Sequence, residues 1–210
     1  MGFGGGARGL ISSQAMSCRN LPFAGARIGS WALILTLLGL GAALAGCSRP
    51  TRYVIEGDTQ VYTLTNLHPD ERRGLLYSLN YQQDGLLPVC TQVNVDSVDQ
   101  RELRFTVGAT GRQYRYLFTR HMRDAIDMHM NRYFGPNCPD LTALSDADRA
   151  GIQQGQVFQG MSKQGVILAI GYPPEHATPS LDSDQWSYWR NSHSRFLVYF
   201  VDGVVSGIQN

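Results

Sequence analysis

A fourteen-residue apolar run, Trp31 to Leu44, decides where the rest of this chain has to fold. It is too short to cross a bilayer comfortably, since a spanning helix needs roughly 20 apolar residues, and it matches the roughly 7–15 of a secretory h-region. Ahead of it lie Arg8, Arg19 and Arg27 with no acid, and behind it the small residues Ala45 and Gly46. A basic n-region stays on the cytoplasmic side while the apolar helix enters the membrane and presents a small-residue cleavage site beyond it. Residues 1–46 are therefore expected to be a signal peptide, starting at Met1 or Met16, and the remainder to fold outside the cytoplasm.

The cleavage site reads Leu44-Ala45-Gly46-Cys47, which resembles the lipobox of bacterial lipoproteins. The resemblance implies that Cys47 is acylated with three chains and becomes the mature N-terminus. At roughly 0.8 kcal/mol per buried CH₂, more than one chain suffices for stable anchoring. Ser48 follows where an Asp would favour inner-membrane retention, which implies the outer membrane, facing the periplasm. Residues 47–57 are then a lipidated tether.

Export changes the meaning of the cysteines. Cys18 falls in the leader and Cys47 carries lipid, so Cys90 and Cys138 remain, and in an oxidising compartment they are expected to form a disulfide. Neither sits in a CxxC, which leaves no metal or redox reading and no cofactor. Beyond position 47 there are fifteen basic residues against seventeen acidic ones. That balance offers no clustered basic surface for nucleic acid.

Alternating segments mark residues 58–135 as a mainly-β domain: Gln60 to Leu64, Leu86 to Val95, Glu102 to Val107 and Gln113 to Phe118. Short strands at intervals of about ten residues suggest a curled sheet or barrel. Asn66 to Arg73 reads as a turn or short helix. From Arg120 to Phe134 the period changes to three and four, with Met122, Ala125, Ile126, Met130 and Tyr133 on one stripe, and Gly135-Pro136 ends that helix. His121 and His129 are eight apart, too far for paired ligation on one helix, and read as surface or boundary residues. Residues 136–144 form a linker.

Residues 145–210 form the second unit. Ser145 with acids in the following turn starts a helix over Asp146 to about Gln154, ending at Gly155; Ser162 caps a second, which Gly171 and Pro173-Pro174 end. Strands follow at Gln185–Trp189, Phe196–Val201 and Val204–Ile208, the last two joined by Asp202-Gly203, a type I′ hairpin signal. The fold class is α+β: a two-helix plus three-stranded antiparallel module preceded by a small mainly-β domain with one helix.

The pattern Gly155-Gln-Val-Phe-Gln-Gly-Met-Ser-Lys-Gln-Gly-Val-Ile-Leu-Ala-Ile-Gly-Tyr-Pro-Pro, then Trp186-Ser-Tyr-Trp, then Val198-Tyr-Phe-Val-Asp-Gly-Val-Val-Ser-Gly-Ile, is similar to the SmpA/OmlA (BamE-like) domain of bacterial outer-membrane lipoproteins. The likeness covers roughly residues 150–210, and the domain of about ninety residues ahead of it departs from a minimal family member. It implies a role in envelope assembly or maintenance through a protein partner.

Strand Phe196 to Val201 has no polar position, so both of its faces need cover. Phe196, Val198 and Phe200, with Val205 and Gly207, are expected to meet the helices. Leu197, Tyr199 and Val201, with Val204 and Ile208, would meet either the first domain or a partner. Alternation turns Trp189 away from Trp186 and Tyr188 and makes it a further contact candidate. Gly160-Met-Ser-Lys-Gln-Gly165 lacks the spacing of a nucleophile elbow, and neither Asp124/Asp127 nor Asp182/Asp184 makes a convincing acid–base pair. The expected function is a structural or interaction role in outer-membrane or envelope assembly and maintenance, with no enzyme activity and no small-molecule substrate. The alternative is a binding module that inhibits a periplasmic hydrolase.

Overall fold

In the computed structural model, residues 60–210 are described; the leader, the lipobox residues Leu44, Ala45, Gly46 and Cys47, and the tether lie outside them. The architecture is mixed, with three helices, a curled six-stranded sheet and a three-stranded antiparallel sheet.

The first sheet comprises β1 (Gln60–Thr63), β2 (Leu75–Tyr77), β3 (Gln92–Val98), β4 (Glu102–Val107), β5 (Gln113–Leu117) and β6 (Phe134–Gly135), in the spatial order β2-β5-β4-β3-β1-β6. Helix α1 (Ile126–Tyr133) leads directly into β6. Three features differ from the sequence reading. The stretch 86–91 is not strand: Cys90 sits at φ 66, a conformation a strand cannot contain, and pairing resumes only at Gln92. Strand β2, which the sequence pattern does not mark, pairs in parallel with β5. The helix expected over Arg120 to Phe134 begins only at Ile126, because Ala125 offers no side-chain cap and Asp124 is held by Arg132 instead. At its other end Phe134 turns extended and pairs with Thr63.

Helices α2 (Asp146–Gln154) and α3 (Lys163–Ile170) start on linked caps. Ser145 Oγ accepts the Asp148 N–H, while the Asp148 carboxylate accepts the N–H groups of both Ser145 (3.2 Å) and Ser162 (2.7 Å). One buried carboxylate thus serves two helix N-termini, where the helix dipoles favour negative charge. The approach is close enough that a Cβ on Gly165 would stand 1.8 Å from Asp148 Oδ1. Strands β7 (Gln185–Trp189), β8 (Arg195–Val201) and β9 (Val204–Gln209) form the antiparallel sheet. Asp202 (φ 51) and Gly203 (φ 77) make the turn between the last two, both with the positive φ that a type I′ turn requires.

Two hydrophobic clusters result. Val93, Leu103, Phe105, Tyr114, Tyr116, Tyr133 and Phe134 centre the first, and Met161, Val166, Leu168, Trp186, Tyr188, Val198, Phe200 and Val205 the second. They lend each other residues: Val89 packs on the second cluster and Tyr172 on the first. Leu141 and Leu144, in the expected linker, also pack on the second. Cys90 and Cys138 lie at disulfide distance, with Cα atoms 5.0 Å apart, and staple the loop before β3 to the segment after β6.

Candidate functional site

The first thing the tertiary structure assembles is the seam between the two clusters. An α-helix leaves its last four carbonyls without partners, and α3 ends against the first sheet's loops. Asn66 N–H donates to Leu168 O (2.8 Å), Asn66 Nδ2 to Ala169 O (3.0 Å) and Asn80 Nδ2 to Ile170 O (2.7 Å). His68 Nε2 lies 3.2 Å from Ala169 O, and Gln82 Nε2 donates to Ile170 O at 2.9 Å. Asn66 also reaches Ile152 O of α2 at 2.6 Å and accepts the Val89 N–H at 2.7 Å. Three side-chain amides and an imidazole of one part therefore cap the helices of the other. Burial holds the His68 imidazole below its ordinary pKa.

The second assembly is the outer face of the β7–β9 sheet. Phe196, Val198, Phe200 and Val205 are buried beneath α2 and α3. On the opposite face Leu197 and Tyr199 are half-buried, while Val201 is 60% and Val204 43% exposed. The expected membership needs one correction. A bulge between Tyr199 and Phe200 sets Gly207 opposite Tyr199 and Ile208 opposite Val198, so Ile208 leaves the outer face and Gly207 joins it. The extra residue is Ser206, whose Oγ donates to Tyr199 O; β-bulges shift alternation by one, and no residue-type pattern announced this one. Tyr199 OH donates to Gln209 Oε1, giving the apolar stripe a polar border.

Trp189 lies at the corner of this face. Its ring centroid is 5.3 Å from that of His176, which is in turn 5.6 Å from His121. The loop between α3 and β7 carries His176, and the same loop closes the free edge of β7, where Thr178 Oγ1 accepts the Ser187 N–H. Burial and the neighbouring His121 lower the His176 pKa.

Beside that stack, Arg132 of α1 joins Asp124 (2.7 Å) and Glu175 (2.5 Å) through the same Nη1. Burial and a hydrogen bond with Glu175 raise the Asp124 pKa. Burial presses hardest on Glu175, but the hydrogen bonds with Arg132 and Asp124 and the charge of Arg132 together outweigh it and hold that carboxyl low. Sequence spacing pairs Asp124 only with Asp127; in the fold it joins Glu175, fifty-one residues away. His129, read as a surface or boundary residue, is buried at 6% exposure, with Nε2 2.8 Å from Tyr116 OH. Burial, then Arg132, pushes its pKa down to about 4.

Ser162 Oγ is committed to capping, accepting from Gly165 N and donating to Asp148. Among the described residues no group of three or more His, Cys, Asp or Glu is gathered to hold a metal ion, and no helix is long and apolar enough to cross a membrane. The arrangement offers surface and shape: a part-apolar sheet face with an aromatic corner, held on a body whose parts are bonded at the seam. No protein-family model, curated protein or solved structure matches this chain.

Proposed function

We propose that the chain is an exported lipoprotein, anchored through Cys47 in the outer membrane and facing the periplasm. In this reading it holds a protein partner of the cell envelope on the outer face of its three-stranded sheet. Residues 145–210 are the SmpA/OmlA (BamE-like) module, with its two helices laid on the β7–β9 meander, and residues 58–135 are an added domain bonded to it along the seam. The observation that carries the reading is the outer face itself. Leu197, Tyr199, Val201 and Val204 run side by side with two of the four well exposed, and Trp189 stands at their corner. Apolar patches of this kind mark interaction surfaces when they are contiguous and rimmed by polar groups. The Cys90–Cys138 pair supports an oxidising compartment.

Two experiments on intact cells test it. Radiolabelled palmitate is expected to mark the parent and to be absent from Cys47→Ala; an unlabelled parent, with Cys47→Ala processed and sorted identically, removes the anchor. A photo-crosslinking residue at Leu197 or Val201 is expected to capture one envelope protein, and Tyr199→Glu to abolish that capture while leaving the melting temperature in place. Capture unaffected by Tyr199→Glu removes the face.

A further inference from the structure

At the end of the outer sheet face, Trp189 joins two groups of cations. On one side its ring meets His176, and His176 meets His121, with centroids 5.3 and 5.6 Å apart. The segment that carries His121 also carries Arg120 and Arg123, and Arg120 Nε donates to His121 Nε2 at 3.3 Å. On the other side, Arg195 of β8 is the direct cross-strand partner of Trp189. Residues paired in this way share a face, with Cβ atoms about 5 Å apart.

These charges have no counterpart. Arg120, Arg123 and Arg195 are exposed, and among the described residues none of them is ion-paired. The nearby carboxylates of Asp124 and Glu175 both close on Arg132 instead. Burial, then His121 and Arg123, lower the His176 pKa, as expected of an imidazole set beside cations. With fifteen basic residues against seventeen acidic ones beyond position 47, composition does not produce this local excess. The fold gathers it from the segment before α1, the loop between α3 and β7, and β8.

The corner is continuous with the apolar stripe. From Arg195 the outward side chains of β8 run Leu197, Tyr199 and Val201, a row about 20 Å long at roughly 3.3 Å per residue. Leu197 and Tyr199 are half-buried in the sheet, which suits packing against an opposing chain and not insertion into a bilayer.

We propose that the partner held on this face presents an extended segment whose acidic side chains meet Arg120, Arg123 and Arg195 around Trp189 and whose apolar side chains follow along Leu197, Tyr199 and Val201. The assignment rests on the reading of the outer face as the partner surface and specifies the chemistry of what that surface holds. Carboxylates suit the corner because the planar fork of arginine takes them bidentately. A basic segment would set like charges against each other.

A photo-crosslinking aromatic residue in place of Trp189 keeps every cation and tests this with the full chain in intact cells. Mass spectrometry of the adduct is expected to find Asp or Glu on either side of the attachment point in the partner. Arg123→Glu with Arg195→Glu should cut the yield about tenfold. Arg123→Lys with Arg195→Lys, which keeps the charge and loses the fork, should hold it within about threefold. Both arginines are exposed and unpaired, so the urea midpoint of the Glu pair should equal that of the parent. Changing the mapped partner acids to Lys should restore capture by the Glu pair. An adduct on lipid, an attachment segment without acids, or a yield unchanged in the Glu pair would each overturn the assignment. Any of these results alongside capture from Leu197 removes the acidic segment and leaves the sheet face standing, whereas no capture from either Leu197 or Trp189 removes both.

Discussion

Replacing Asn66 with alanine tests whether the seam holds the two halves together or merely brings them into contact. The side chain is fully buried and makes three hydrogen bonds, to Ile152 O, to Ala169 O and from Val89 N. Alanine leaves the Val89 N–H without its partner, at about 1–3 kcal/mol for an orphaned buried donor. The two carbonyls lose one bond each but keep another: Ile152 O retains the Gly155 N–H at 3.3 Å, and Ala169 O retains His68 at 3.2 Å. Each of those losses is worth about 0.5–1.5 kcal/mol. The expected cost is about 4 kcal/mol, a large share of the roughly 5–15 kcal/mol that stabilises a typical protein. Urea unfolding at pH 7, followed by the fluorescence of buried Trp186, reads this as a midpoint lowered by about 2 M at a slope of about 2 kcal/mol/M. Asn66→Asp should cost more, since it turns a donor into a charged acceptor facing two carbonyl oxygens. A loss under about 1 kcal/mol for alanine, or aspartate milder than alanine, would refute the reasoning.

Other expectations follow from the same structure. Reducing the Cys90–Cys138 bond, or replacing both residues with serine, should lower stability by about 4 kcal/mol on the loop-entropy account for a separation of 48 residues; equal urea midpoints with and without dithiothreitol would contradict it. The His129 pKa is pushed down from 6.5 to about 4, so its contribution is complete above pH 6.5, where folded and unfolded states are both neutral. It is lost as pH falls toward 4, because only the unfolded state takes the proton. The loss is about 3 kcal/mol across that window, and His129→Phe should flatten the profile measured by urea unfolding at several pH values. His68 is shifted in the same direction and adds to the slope. Gly165→Ala places a methyl against Asp148 Oδ1 and should cost about 3 kcal/mol or more; a melting temperature unchanged by it would mean that the two helices part easily.

The second half of the fold was legible because its signals are local. Ser145 three residues before Asp148, Gly155 after the last turn of α2, Ser162 before α3 and Asp202-Gly203 between strands each act within four residues of themselves, and all sit where the sequence reading put them. Local chemistry also predicted the cysteine pair, since two thiols remained and only one pairing was possible.

The first half was less legible because distant segments complete its elements. Three residues, Leu75 to Tyr77, become strand only because β5 lies alongside, and Phe134–Gly135 only because β1 does. The Ser206 bulge depends on how β9 meets the loop at 159–161, where Gly160 N donates to Val205 O and Val205 N to Met161 O. His129 carries no mark of burial in its neighbours, and the aromatic cluster closes over it from β5.

Residue order alone determined where the C-terminal helices and hairpin begin and end, and which face of β8 is buried. The capping of α3 by Asn66, His68 and Asn80 and the joining of Asp124 to Glu175 through Arg132 were decided by tertiary structure alone. The physical reason is range: caps and tight turns are satisfied within a few residues, whereas a helix end that buries its carbonyls takes donors from whatever segment packs against it, here about ninety to a hundred residues earlier in the chain.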